Sequence, residues 1–311
     1  MSEEARRTGG AAQRGLYVSH PGAASAAVPA SALAGLLTGA LVWGLIWYPY
    51  RVIESAGVGG VAATTLTYLV ALLCAIPGLP RSRAVLAQPG ALVVIGLAAG
   101  GCNLGYVLAM LGGEVMRVLL LFYLAPLWTL VLSRALLGER IDRAGFAVIV
   151  LAVAGAFTML WPDAPGMPLP ANRAEWIGLA AGALFALGNV VARKAAEVPI
   201  EVKSFAVFAG VVGGGAALLL GGAAPIAMPG AAASLLILLM GLVLFAVNLV
   251  VQHGLAHTPA NQAIVIFLVE LAVAAVSSWL LAGETLGARE WSGGAMIVAA
   301  SLLSGRIGAG R

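Results

Sequence analysis

The stretch YLAPLWTLVLSRALLGERI, residues 123–141, is an apolar run with Pro126 near its start and Gly138-Glu139 at its end. Its close, LLGER at 136–140, returns as LAGET at 281–285, displaced by 145 residues; both follow one apolar run and precede another. The same displacement pairs Asn103 with Asn248. Near the start of each half, Gly35-x-x-x-Gly39-Ala40-Leu41 matches Gly178-x-x-x-Gly182-Ala183-Leu184, displaced by 143. Three matches in the same order at nearly one spacing point to a duplicated unit.

Composition decides the solvent. The 311 residues are 61% hydrophobic and 10% charged, with a mean hydropathy of +1.00, whereas a soluble domain carries about 25% charged residues. Such a chain expects lipid around most of it. Its 41 glycines suit helices that approach closely through small residues. The net charge of +4 is spread over loops, which argues against a nucleic-acid partner. Cys74 and Cys102 lie inside apolar runs and read as reduced core residues. Residues 1–30 have no continuous apolar segment, so they read as a disordered cytoplasmic tail rather than a signal peptide.

A bilayer crossing needs about 20 largely apolar residues. Ten segments meet or approach that length, near 32–52, 61–79, 89–111, 115–136, 144–161, 175–194, 204–222, 232–256, 260–282 and 291–306. The expected fold is therefore an all-α integral membrane protein of ten transmembrane helices. Residues 31–161 form the first five-helix repeat, 162–173 a proline-rich extracytoplasmic linker, 174–306 the second repeat and 307–311 a cytoplasmic tail. With the N-terminus inside, the cytoplasmic loops and helix ends hold thirteen Lys and Arg against three on the other side (Arg51, Arg173, Arg289). That bias places both termini in the cytoplasm. Five is odd, so the second repeat must insert upside down. Inverted repeats around a midplane site are an architecture of secondary transporters.

With ten helices in two halves, a mid-helix Pro126 and the Gly-Glu endings Gly138-Glu139 and Gly283-Glu284, residues 31–306 resemble the EamA-type proteins of the drug/metabolite transporter superfamily. The second repeat departs from the pattern in having VELAV at 269–273 where a proline is usual. The general pattern is most similar to amino-acid exporters of the YddG type. The resemblance implies a multi-pass transporter, and the YddG-type pattern an amino acid, aromatic or otherwise amphipathic, as its substrate; the scarcity of cations within the spans leads to the expectation of a small zwitterionic or neutral metabolite, and the use of Arg over Lys to that of a bacterial inner membrane. No cofactor and no enzymatic activity are expected.

Glu270 falls near the middle of the ninth span. A charged side chain there is costly, about 2.5–3.5 kcal/mol on insertion scales, so it should face protein or water. It reads as a proton site or a contact for a substrate ammonium; the alternative is a static carboxylate bonded to a neighbouring helix. Arg117, one turn into the fourth span, is expected to pair with Glu114 three residues before it and to snorkel outward; the sharper reading is an anchor for a substrate carboxylate. Asn103 and Asn248 should point inward, since an unpaired amide in lipid is costly. They bond between helices or line the path, as do Asn189, Tyr106 and Tyr123. His253 is a second candidate for proton coupling, although a hydrogen-bonded helix histidine suits it better; Gln252, Asn261 and Gln262 are polar neighbours.

Only Arg117 is a cation within a span, which disfavours doubly anionic substrates. The chain carries no phosphate-binding loop, metal-ligand cluster or nucleophile–base motif. A membrane-embedded enzyme and a non-transporting scaffold remain the competing classes.

The first span contains VWGLIWYPYR, residues 42–51. Trp43, Trp47, Tyr50 and Arg51 share one helical face. Pro49 frees the carbonyl of Leu45 and predicts a kink. By depth the cluster divides. Trp43, with Trp47, is expected to line the cavity. Tyr48 to Arg51 are expected at the outer interface as aromatic belt and as a gate hinged at Pro49, with Pro126 as a second hinge.

Overall fold

The computed structural model describes residues 29–79, 88–138, 143–161, 169–222, 224, 228–258, 263 and 266–309. The tail 1–28, Glu139, Asn261, Gln262, three of the linker prolines (Pro162, Pro165 and Pro168) and the last two residues lie outside them. The described residues contain no β-strand. The helices are α1 Ala30–Leu45, α2 Trp47–Ser55, α3 Gly60–Ala75, α4 Pro89–Gly112, α5 Val115–Phe122, α6 Ala125–Leu137, α7 Arg143–Leu160, α8 Arg173–Lys194, α9 Ile200–Leu220, α10 Ala231–Ala256, α11 Val269–Ala282 and α12 Ala288–Ala309.

Eight helical stretches are long and apolar enough to cross a membrane: Ala30–Ser55, Gly60–Gly78, Pro89–Gly112, Val115–Leu137, Arg143–Leu160, Arg173–Lys194, Ile200–Leu220 and Ala231–Leu255. Val269–Ala282 is a shorter apolar helix. α12 has 22 residues and carries Arg289 and Glu290 in its first turn.

Two crossings contain internal breaks. α1 and α2 meet at Ile46, one turn before Pro49, which offers no N–H to the Leu45 carbonyl. α5 and α6 meet at Tyr123–Leu124, with Pro126 in the first turn of α6. α11 likewise begins after a turn at Leu268, although no proline stands there. Displaced by 145 residues, Tyr123 falls on Leu268 and Phe122 on Phe267. The break therefore recurs at the matching place in the second half. The endings match as well. Gly138 (φ +71°) and Gly283 (φ +67°) take the left-handed conformation that closes a helix, and each donates its N–H five residues back, to Ser133 and Ser278. A side chain at either glycine would strain that turn, which explains why a glycine closes both repeats.

The halves interlock. α1, from the first half, packs on α10 and α11 of the second; α8, from the second half, packs on α4, α5 and α6 of the first. α3 meets α9 and α10, α4 meets α9, and α7 meets α12. Exchanging the halves leaves this set of contacts nearly unchanged, as an internal pseudo-two-fold requires. Small residues make the crossings possible, because lipid supplies no hydrophobic drive between helices and close packing must hold them. Gly96 and Gly100 of α4 lie against the backbone at Gly210 of α9, and Gly155 of α7 against Gly293 of α12. Gly182 of α8 lies on the Phe122 carbonyl, the group that Pro126 leaves without a helical donor.

Candidate functional site

Glu270 is buried, but it does not lie inside a continuous helix. It occupies the first turn of α11, directly after the break at Leu268. Its carboxylate accepts a hydrogen bond from the Tyr123 hydroxyl at 2.9 Å, and that hydroxyl also lies 3.3 Å from the Phe267 carbonyl. The two matched breaks thus meet through one phenol. Phe122 stands beside Tyr123 and packs edge-on against Tyr106, with centroids 5.3 Å apart; it also packs against Phe185 of α8 at 5.4 Å. Trp43 of α1 packs on Phe267 at 5.8 Å. Trp43, Tyr106, Phe122, Tyr123 and Phe267 are half-buried and Phe185 is 46% exposed, so these rings leave part of their surface uncovered. The result is an aromatic cluster drawn from α1, α4, α5, α8 and the α11 break, with the Glu270 carboxylate bonded to its Tyr123 hydroxyl.

Of the residues expected at the site, Trp43, Tyr106, Tyr123 and Glu270 come together. Phe122, Phe185 and Phe267 join them without having been anticipated. The available signal was positional: Phe122 lies four residues before Pro126, and Phe267 lies three before Glu270 on the same face.

Several expected residues are elsewhere. Trp47 is 1% exposed and donates its indole N–H to Ser277 at 3.1 Å. It is a core residue at the α2–α11 contact, not a cavity wall, because a buried indole N–H requires an acceptor. Ser277→Ala should cost about 1 kcal/mol of stability, read as a modest fall in the melting temperature of purified protein. Tyr50 is 2% exposed and packs with Ile53, Val58 and Ala62, so it is not a membrane-belt residue; Tyr48, 41% exposed, fits that role. Asn103 accepts from the Tyr68 hydroxyl and donates to the Ala99 carbonyl; Asn248 accepts from Ser204 at 3.3 Å. Each asparagine ties the second and third helices of its own half. Asn189 is exposed, one turn beyond Phe185. His253 lies exposed at the end of α10, 3.4 Å from the Ser31 hydroxyl and packed on His257 at 4.4 Å; neither partner belongs to the Glu270 ring cluster.

Arg117 corrects its expectation most clearly. Its hydrogen-bonded partners are not Glu114 but Glu175 of α8 and Glu290 of α12, each at 2.9 Å. Glu175 also accepts from the Ala171 N–H and the Asn172 amide, while Asn172 caps α8 through the Glu175 N–H. Arg51 donates to the carbonyls of Met110 and Gly113, pairs with Glu284 at 3.4 Å and lies 4.8 Å over the Trp47 ring. Glu284 in turn accepts from the N–H groups of Val115 and Met116 at the start of α5. Both clusters join the first half to the second at the same end of the bundle, opposite Ala30 and Ala309. At that far end charge ties the two halves together.

The pattern that defines the EamA-like transporter family matches residues 30–161 and again residues 172–306. This chain belongs to the EamA-like transporter family. It is accordingly a multi-pass membrane protein of the drug/metabolite transporter type, built from two copies of the EamA unit. No curated protein matches the chain. Thirteen chains among solved structures match it. One crystal structure is similar at a TM-score of 0.59 and 21% identity, over 90% of this chain and 99% of its own; at that identity the likeness speaks for the EamA fold alone. Among the described residues no group of His, Cys, Asp and Glu is placed to hold a metal ion.

Proposed function

We propose that this EamA-like protein is a secondary transporter that carries a small, partly apolar organic solute by alternating access. The observation that carries the reading is the half-covered aromatic cluster around Glu270, set at the two matched helix breaks where the halves meet. Broken helices that meet near mid-span are how transporters place binding groups at the bilayer centre. The chain makes ten crossings, with α11 completing the ninth. Its cation bias sets both termini in the cytoplasm of a bacterial inner membrane. The far end then faces outward, and the Arg51 and Arg117 clusters close it. Pro49 and Pro126 supply the hinges, and Glu270 is the site where a proton couples to transport. Amino acids and similar amphipathic metabolites are the substrate class expected from the sequence, and Glu270 suits a solute that carries an amino or ammonium group.

The test is reconstitution of the purified protein in liposomes with a panel of amino acids and amines, with and without a pH gradient. Flux of at least one solute is expected, and Trp43→Ala should lower it by about tenfold, the equivalent of one aromatic contact of about 1.4 kcal/mol. A protein that moves nothing in the panel under either condition would not be this transporter.

A further inference from the structure

The charge balance of the aromatic cluster narrows the substrate class; this step rests on the transport reading above. Glu270 is the one acidic residue of the cluster, and among the described residues no Lys or Arg stands within ion-pair distance of it. Its partner is a neutral phenol. The cations within the helices lie toward their ends. Arg51 and Arg117 are committed at the far end to Glu284, Glu175, Glu290 and two backbone carbonyls. Arg134, Arg193 and Lys194 are exposed in the last turns of α6 and α8, and Lys203, in the first turn of α9, donates to the Ala192 carbonyl.

An α-amino acid brings an ammonium and a carboxylate separated by a single carbon. If its ammonium met Glu270, its carboxylate would need a cation close by. The nearest along the chain is Arg117, six residues before Tyr123, about 9 Å along the helix axis at 1.5 Å per residue, with its guanidinium already held by two carboxylates. The amino acid's carboxylate would sit in a low-dielectric site beside Glu270 with no cation to balance it. Backbone dipoles add little: the positive end of α11 lies beside Glu270, whose own carboxylate already occupies that first turn. At the α5/α6 break the negative C-terminal end of one half-helix faces the positive N-terminal end of the other, and the two largely offset each other. Aromatic faces beside a carboxylate form the surroundings that hold ammonium groups, through cation–π attraction within about 6 Å of a ring centroid and through the ion pair itself.

We infer that the substrate is a monovalent organic cation with an apolar body, an aryl- or alkyl-ammonium without a carboxylate, bound at Glu270 among Trp43, Tyr106, Phe122, Tyr123 and Phe267. Cation and proton compete for the same carboxylate, so entry of the cation at a protonated site releases one proton.

Three probes that share a phenyl ring and differ in charge separate the possibilities: benzyltrimethylammonium, L-phenylalanine and benzenesulfonate. Binding to the purified protein is measured by titration calorimetry, and flux in proteoliposomes. Benzyltrimethylammonium is expected to bind at least about tenfold more tightly than the other two and to be carried. Glu270→Gln, nearly the same shape, should remove about tenfold of that affinity, while Tyr123→Phe should keep most of it. The inference is overturned if L-phenylalanine or benzenesulfonate binds as well as the cation, or if Glu270→Gln leaves the cation's affinity unchanged. Flux of L-phenylalanine without flux of the cation overturns the inference and leaves the transport reading standing. No binding and no flux of any probe overturns the inference, and flux of the wider panel then decides the transport reading separately.

Discussion

Arg117→Met is expected to destabilise the protein by about 3 kcal/mol, the lower part of the range for removing one partner of a buried ion pair. The side chains of Arg117, Glu175 and Glu290 are only 19%, 4% and 20% exposed. Removing the guanidinium leaves two carboxylates facing each other with little water to screen them. The loss is held to the low end because Glu175 keeps its donors from Ala171 and Asn172. Glu290→Gln alone should cost far less, about 1 kcal/mol, since it deletes one charge and keeps an acceptor. The triple change Arg117→Met, Glu175→Gln, Glu290→Gln should recover most of the loss, because the cost lies in unbalanced charge and not in missing contacts. Thermal unfolding of the detergent-purified variants reads all three. If Arg117→Met melts with the wild type, the cluster contributes nothing to holding the far end together.

Gly210→Leu should be more damaging. A Cβ at Gly210 would overlap the Gly96 carbonyl, which is backbone and has no rotamer through which to move aside. α4 and α9 would have to separate along a main contact between the halves, and because the obstacle is backbone the cost exceeds the usual overpacking range of about 1–3 kcal/mol. Little properly folded protein should survive purification, as measured by a monodisperse size-exclusion peak. Gly213→Leu is the control: it lies one turn further along the same helix, with nothing within 4 Å of its Cβ position. It should be recovered at wild-type yield. Equal recovery of the two variants would mean that the Gly96–Gly210 approach is not what joins these helices.

Much of the architecture is legible in the sequence because bilayer thickness and helical rise leave little choice of element, and because duplication writes the same endings twice. LLGER and LAGET announce two matched helix ends, and the left-handed glycines at 138 and 283 are their physical cause. The site is less legible, for a reason visible in Arg117. Local spacing proposes Glu114, three residues away, yet the actual partners are 58 and 173 residues distant in the chain. Long-range pairing is decided by which helix ends meet, and no local pattern carries that. Tyr50 and Trp47 mislead similarly. Aromatics at interface depth look like belt residues until packing shows which side of the helix is covered. The break before Glu270 is hidden because the residue that would mark it, a proline, is missing from VELAV; only the offset from Pro126 in the first half hints at it.

The exchange of first helices between the halves bears on how the protein is made. α1 leaves the ribosome first, yet two of its main partners, α10 and α11, are synthesised about 200 residues later, which at roughly 5–20 residues per second is some 10–40 seconds. During that interval Gly35 and Gly39 have no α10, and Gly44 no α11, to receive them. Lipids or an insertion factor must occupy those contacts meanwhile. The bundle closes only when the last third of the chain arrives, so a truncated translation product would be left with an open seam for quality-control proteases to recognise.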